Sequence, residues 1–455
     1  MSRTFKMNFN KFFDRLTPFQ VIVLFYVSAV MISTLLISLP FLHREGIHLS
    51  FIDTLFTAVS AVSVTGLTVV STADTFNTPG YFVLMFILQF GGIGVMTLGT
   101  FIWLMLGKKI GLKRRQLIKT DQNRSTFAGM VKLIRQILLI IIIIEAIGAI
   151  ILGVYFTQYF PTLGESFVQG MFASVSATTN AGFDITGTSL EMFKDDYFVQ
   201  FINMLLLTLG AIGFPVLIEV KDYLTKKQKH FINFSLFAKL TSVTFGALVV
   251  IGAILIYLLD RNHFFEGKSW HEAFFFSLFQ SVTTRNGGLA TMDVSEFSIP
   301  TLLVICVLMF IGASPSSVGG GIRTTTFAIS LLSIIAYARG KSSVRVFRRE
   351  IHPDDIFRSF IVINTAIAIT GLGIILLNYF EPHLSLIEIT FEACSAFGTT
   401  GLSMGATSEL DLAGKVVIIS LMFIGRIGIF SFLFIIRGKA TKDNYHYPKE
   451  PMLIG

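Results

Sequence analysis

Runs of apolar residues long enough to cross a bilayer recur along the whole chain, at residues 21–39, 137–156, 199–220 and 361–380 among others, separated by short polar connections. A transmembrane helix needs about 20 such residues, so the pattern predicts an all-α polytopic membrane protein. The first run lacks a small-residue cleavage site and is followed by further spans, which marks it as a retained helix. Other stretches are only semi-apolar, rich in Phe and Ser, with about 10 to 15 residues of helical pattern, too few to cross. They are expected to dip into the membrane and return.

One such segment occurs four times, as FTAVSAVSVTGLT, FASVSATTNAGFD, LFQSVTTRNGGLA and FEACSAFGTTGLS. Aligned on Gly66, Gly182, Gly288 and Gly401, each copy has a large apolar residue one place later (Leu67, Phe183, Leu289, Leu402) and another ten places earlier (Phe56, Phe172, Leu278, Phe391). The glycines are 116, 106 and 113 residues apart, so four units fill nearly the whole chain. A second motif follows each loop glycine by 25, 28, 24 and 24 residues: Gly91-x-x-Gly94, Gly210-x-x-Gly213, Gly312-x-x-Pro315 and Gly425-x-x-Gly428. Small residues favour close packing of membrane helices; packing alone does not account for two motifs in the same order four times. The repeats predict units at residues 18–130, 131–230, 231–350 (with a broken second helix) and 351–437, flanked by cytoplasmic segments 1–17 and 438–455. Non-helical backbone at membrane depth must be buried by protein or line water, so four dips imply helix, pore loop, helix units with pseudo-fourfold symmetry around one aqueous pore.

Composition narrows the function classes. Of 455 residues, 53% are hydrophobic and 14% charged, against about 25% charged in soluble domains, which excludes an ordinary soluble enzyme. The longest polar stretch between spans, residues 107–131, is too short for an independent catalytic or nucleotide-binding domain. Cys306 and Cys394 stand in apolar surroundings and are read as core residues. The net charge of +8 would suit a nucleic-acid binder, but the bases flank membrane ends. Five segments (the N-terminus, residues 108–135, 221–239 and 339–358, and the tail from Arg437) hold 28 Lys/Arg and eight acids; the alternate connections hold five bases and 18 acids. The positive-inside rule therefore predicts a multi-pass cell-membrane protein with both termini cytoplasmic and a strongly acidic outer face. Those acids either solvate the outer loops or form a mouth that concentrates cations.

The loop chemistry suits an alkali cation. A dehydrated potassium ion needs several oxygen ligands at once, and rings of backbone carbonyls supply them without a fixed charge that would trap it. Glycine permits the positive φ that lets successive carbonyls face an axis. The candidate filter is thus Val64, Thr65 and Gly66; Asn180, Ala181 and Gly182; Asn286, Gly287 and Gly288; Thr399, Thr400 and Gly401. In unit three the second span is interrupted by Ala313, Ser314, Pro315, Ser316, Ser317, Val318, Gly319, Gly320 and Gly321, residues that break a helix in any solvent. This segment is expected in the pore below the filter, as a gate. The glycine alignment sets Arg426 level with Ala313, Ala211 and Gly92, where a guanidinium opposes cations and can bond gate carbonyls. Arg285, three residues before Gly288, is expected to brace the filter through carbonyls or outer acids. Arg323 and Glu145 suit either a place beside the gate or a structural role, and neither is assigned.

Single-glycine loops in four non-identical helix, loop, helix units resemble the Ktr/Trk/HKT superfamily of potassium transporters, in particular its KtrB-type membrane subunit, over essentially the whole chain. The resemblance implies a potassium-selective filter at Gly66, Gly182, Gly288 and Gly401. Because the TVGYG signature of tetrameric channels is absent, it also implies weaker discrimination against sodium. It further implies a homodimer with one pore per chain, activation by sodium, and a cytosolic KtrA-type nucleotide-binding ring that controls the gate from the basic inner loops, which also suit anionic lipid headgroups. Potassium is the transported ion; no organic cofactor or nucleic-acid partner is expected.

Two other classes compete. An intramembrane enzyme using Ser314, Ser316 or Ser317 would need a base, but all eight histidines lie in loops, tails or span ends. No H-E-x-x-H or Cys/His cluster suggests a transition metal, and the glycines of residues 90–99 do not fit a dinucleotide fingerprint. A sodium-coupled secondary cation symporter is the nearer alternative. Such folds usually show inverted repeats with matched broken helices, whereas these repeats run parallel and only one span is expected to be broken.

Overall fold

The computed structural model describes residues 17–94, 130–225, 234–437, 447–448 and 450–452. The basic N-terminus, nearly all of the basic stretch 108–135 and most of the tail lie outside the described residues.

Four long apolar helices begin the four units: α1 (Pro18–Ile37), α4 (Met130–Tyr155), α8 (Leu236–Asp260) and α12 (Pro353–Phe380). Each is long and apolar enough to cross a membrane, where a helix satisfies its own backbone groups. Thr17 starts α1 with a complete capping box to Gln20, and Pro18 occupies the first turn, where its missing N–H costs nothing.

Each long helix is followed by a short one: α2 (Phe51–Ser63), α5 (Leu163–Thr178), α9 (Trp270–Thr283) and α13 (Leu386–Gly398), of 13, 16, 14 and 13 residues. All four start on the same device. Ser50, Thr162, Ser269 and Ser385 accept the N–H of an acid three residues on, at Asp53, Glu165, Glu272 and Glu388. This S/T-x-x-D/E signal marks a helix start in the sequence itself.

The third helix of every unit ends or bends at the second motif. Helix α3 (Thr78–Ile93) ends on Gly94 at φ +92°. Helices α6 (Tyr197–Ala211) and α7 (Phe214–Thr225) meet at Gly213, φ +101°, with a bend of 105°. Helices α10 (Ile299–Phe310) and α11 (Thr324–Ala338) are separated by the 313–321 segment, and α14 (Leu412–Ile427) breaks from α15 (Ile429–Arg437) at Gly428, φ +81°. The expectation of a single broken span is therefore corrected, and residues 199–220 are not one continuous helix. Unit three simply has the longest interruption.

The first glycine of the same motif serves packing. A β-carbon on Gly91, Gly210 or Gly425 would strike the carbonyl oxygen of Val62, Thr178 or Phe397, each four residues before a loop glycine. The third helix can thus lie directly on the end of its unit's short helix. Unit three differs, because Gly312 meets Gly320 of the inserted segment.

The units close into a ring. One buried apolar cluster joins α1, α2 and α3 to Leu377 of α12, Ile389 of α13 and Ile418, Leu421 and Met422 of α14, so the first and last units pack together. At the rim of that seam Lys415 of α14 bonds Asp53 of α2 at 2.8 Å. After α11 a two-stranded hairpin, β1 (Arg345–Val346) with β2 (Arg349–Glu350), turns at Phe347 and Arg348, both at positive φ as a two-residue turn requires.

Candidate functional site

The four short helices aim their C-terminal ends at one place, and the backbone that leaves them repeats. Two residues before each loop glycine, Val64, Asn180, Asn286 and Thr399 have φ of 57°, 54°, 70° and 52°; Gly66, Gly182, Gly288 and Gly401 follow at 95°, 67°, 68° and 94°. The intervening Thr65, Ala181, Gly287 and Thr400 are not in the left-handed region. Left-handed backbone is costly for a β-branched residue such as Val64 or Thr399 and persists only where the surroundings impose it. Sequence reasoning asked positive φ only of the glycines.

The loop N–H groups are turned back onto the short helices. Thr65, Ala181 and Thr400 donate to the carbonyls of Ser60, Ser176 and Ser395 at 2.8–2.9 Å, and Gly66 and Gly401 donate to the Ser60 and Ser395 hydroxyls at 3.1 and 3.0 Å. Unit three differs by one residue, with Gly287 N–H bonded to the Thr283 carbonyl at 2.6 Å.

Carbonyls face the neighbouring loops instead. A β-carbon on Gly66 would lie 2.5 Å from the Ala181 oxygen, one on Gly182 3.3 Å from the Gly287 oxygen, and one on Gly288 2.5 Å from the Thr400 oxygen; one on Gly401 would strike the Thr65 oxygen. The contacts run from unit one to two, three, four and back to one. Each glycine is thus required twice, by its φ and by the carbonyl beside it.

Polar side chains tie loops together. Asn180 donates to the Arg285 carbonyl at 3.4 Å, and Asn286 donates to the Thr399 carbonyl at 3.0 Å, the Thr399 hydroxyl at 2.9 Å and the Gly398 carbonyl. The Arg285 side chain, wholly buried, donates to the carbonyls of Ile311 (2.7 Å) and Leu308. Those carbonyls sit where α10 breaks and lack helical partners, and a cation at a helix C-terminus is also favoured by the helix dipole. Of the two partner types expected for Arg285, the structure has carbonyls and no outer acid.

The 313–321 segment runs beneath this ring and touches all four units. Ser314 and Val318 donate to Ala211 and Gly210 of α6 at 3.1 and 3.3 Å, and Phe214 donates to Ser316 at 2.8 Å. Gly320 donates to the Thr399 hydroxyl at 2.8 Å, and Gly321 to the Gly425 carbonyl at 3.3 Å. Val318 is buried with Ile93, Ile137 and Phe214, and Gly319 is pressed against Asn286. Within the segment, the Ser317 hydroxyl donates to the Ser314 carbonyl at 2.6 Å and Pro315 abuts Gly213. Buried Arg426 donates to the carbonyls of Val318 and of Gly91 in α3 of the adjoining first unit. Arg323 donates to the Gly319 carbonyl. Glu145 of α4 accepts from Gln89 of α3 at 2.6 Å, and so links the first two units.

On the side where the short helices begin, Glu191 lies near Asp293, Glu296 and Asp184. Partial burial first, and then those three negative charges, push its carboxyl above the usual range.

A chain of four tandem helix, pore loop, helix units around one axis is a polytopic membrane protein of the pore-loop type. The family model TrkH, described as cation transport protein, matches residues 4–446, and the chain belongs to that family. It is similar to Ktr system potassium uptake protein D of Bacillus subtilis (strain 168), with 57% identity over 99% of this chain and 100% of that protein. Ktr system potassium uptake protein B of the same organism is 38% identical, with 97% of each covered. The crystal structure of the potassium transporter TrkH from Vibrio parahaemolyticus shares the fold, with a TM-score of 0.73 at 19% identity over 92% of this chain and 84% of that one.

Proposed function

We propose that this protein takes up potassium, conducting it through the ring of loop carbonyls, as the membrane subunit of a Ktr-type system. The observation that carries the reading is the cyclic meeting of four loops that share one unusual backbone, with the carbonyls of Thr65, Ala181, Gly287 and Thr400 turned to the neighbouring glycines. Such oxygens replace the hydration shell of an entering ion. The C-terminal ends of α2, α5, α9 and α13 add about half a negative charge each, and the acids around Glu191 draw cations to the outer mouth. The names of both Ktr relatives support potassium as the ion.

Ala313 to Gly321, held by Arg426 and Arg323, is the gate: it closes the path under the filter, and a guanidinium there repels a cation. The protein works as a homodimer with both termini cytoplasmic, under control of a cytosolic nucleotide-binding ring; the basic hairpin with Arg345, Arg348 and Arg349 suits such a partner.

The symporter reading gains one point, because breaks at Gly213 and Gly428 accompany the one at 313–321. The parallel, closed ring of four loops still favours a channel-like path. Rubidium flux into liposomes driven by a potassium gradient tests the choice. Flux without sodium, enhanced at most by its addition, is expected; an absolute, stoichiometric sodium requirement would establish the symporter.

A further inference from the structure

We propose that Glu392 is a positioning residue for the fourth filter loop, and that it sets the preference for potassium over sodium; the proposal rests on the filter reading above. The other acids of the short helices, Asp53, Glu165, Glu272 and Glu388, lie in the first turn. Glu392 lies deeper in α13, nine residues before Gly401, and is buried. The corresponding residues nine places before Gly66, Gly182 and Gly288 are Thr57, Ala173 and Phe279, so unit four alone has a carboxylate there.

A buried carboxylate is costly unless its lone pairs are met. Glu392 accepts the Met404 N–H at 3.0 Å and the Ser403 hydroxyl on Oε1, and the Thr407 hydroxyl on Oε2. These three donors come from the turn that begins two residues after Gly401. Inside the ring, the same loop is held at Thr399 by Asn286 and Gly320. The fourth strand of carbonyls is therefore fastened at both ends, and Glu392 is the outer fastening. Unit two fastens its outer turn differently, through Asp184, which accepts from Thr186, Gly187 and Ser189 within that turn. Without the tie, the Thr400 carbonyl and Gly401 are freer to close on the smaller sodium ion, and discrimination falls.

A glutamine can keep the geometry, since its oxygen takes the Met404 N–H and the two hydroxyls rotate to suit, whereas alanine cannot. The test uses full-length protein in liposomes, measuring inhibition of rubidium uptake by potassium and by sodium. Glu392→Ala is expected to lower the potassium preference about tenfold and Glu392→Gln by no more than about twofold, as expected when buried hydrogen bonds are lost or kept. An unchanged preference in Glu392→Ala overturns the proposal, and so does an equal loss in Glu392→Gln. If Glu392→Ala does not fold, the pair Ser403→Ala with Thr407→Val removes two ties from the other side and must reproduce the loss; an unchanged preference there overturns it. Gly401→Ser, run alongside, separates the two claims: its altered preference with a normal Glu392→Ala sinks only the role of Glu392, and an unaltered Gly401→Ser sinks the filter reading beneath it.

Discussion

Val64 and Thr399 keep β-branched side chains in left-handed backbone, a conformation costing on the order of 1–2 kcal/mol per residue. The cost is borne where the loop must present a carbonyl to the next unit. Hydropathy and motif spacing located the four glycines because identical punctuation recurs; the strain two places earlier has no residue signature, since Val, Asn, Asn and Thr share no preference for it. The glycine alignment alone sets Arg426 level with the inserted segment, and its side chain reaches that segment at Val318. Its second partner, Gly91 of the first unit, is a contact across 335 positions that no local pattern reports. Replacing Arg426 by alanine removes both bonds and the positive charge, so flux in liposomes is expected to rise several-fold, with Lys intermediate because an ammonium does not reproduce the planar fork. Unchanged flux in both variants would contradict a gating role.

At the level of elements, the long helices and the short re-entrant ones are legible from apolar length, and their starts from the S/T-x-x-D/E caps. The breaks at Gly213 and Gly428 are not, because a small residue inside an apolar run reads equally as a packing site. Gly213 has φ +101°, and a β-carbon there would lie 2.9 Å from the Pro315 carbonyl oxygen. Gly213→Ala is therefore expected to lower stability by about 1–2 kcal/mol, read as a lower unfolding midpoint of the purified protein; an unchanged midpoint would place the bend elsewhere. Cys306 of α10 and Cys394 of α13 are both buried in one apolar cluster where units three and four pack together. Copper-phenanthroline should accordingly link them into one intramolecular disulfide in the membrane, and failure to form it would contradict this packing. The sequence showed both thiols to be apolar-bound but gave no sign that they meet.

Across the whole molecule, ring closure joins the two ends of the repeat series, and the Asp53–Lys415 pair marks the seam. The segregation of acids into alternate connections is legible from charge counts; the gathering of Glu191, Asp184, Asp293 and Glu296 from two units is not, because it depends on how the units meet. Since the Glu191 carboxyl is raised, it takes up a proton before an ordinary carboxylate does as pH falls. That protonation relieves repulsion in the folded form, so the titration of Glu191 itself favours the fold as pH falls. Uptake at low potassium should decline on mild acidification, and Glu191→Gln should remove the first part of the decline; a decline of the same shape in the variant would place the titrating group elsewhere. The central claim is that four glycine loops form one potassium filter. It is tested most directly by changing Gly66, Gly182, Gly288 and Gly401 to serine one at a time and measuring rubidium uptake against competing potassium and sodium. The account predicts a reduced preference for potassium in all four, since each added β-carbon meets a neighbouring loop. Four folded variants with the preference of the parent would contradict it.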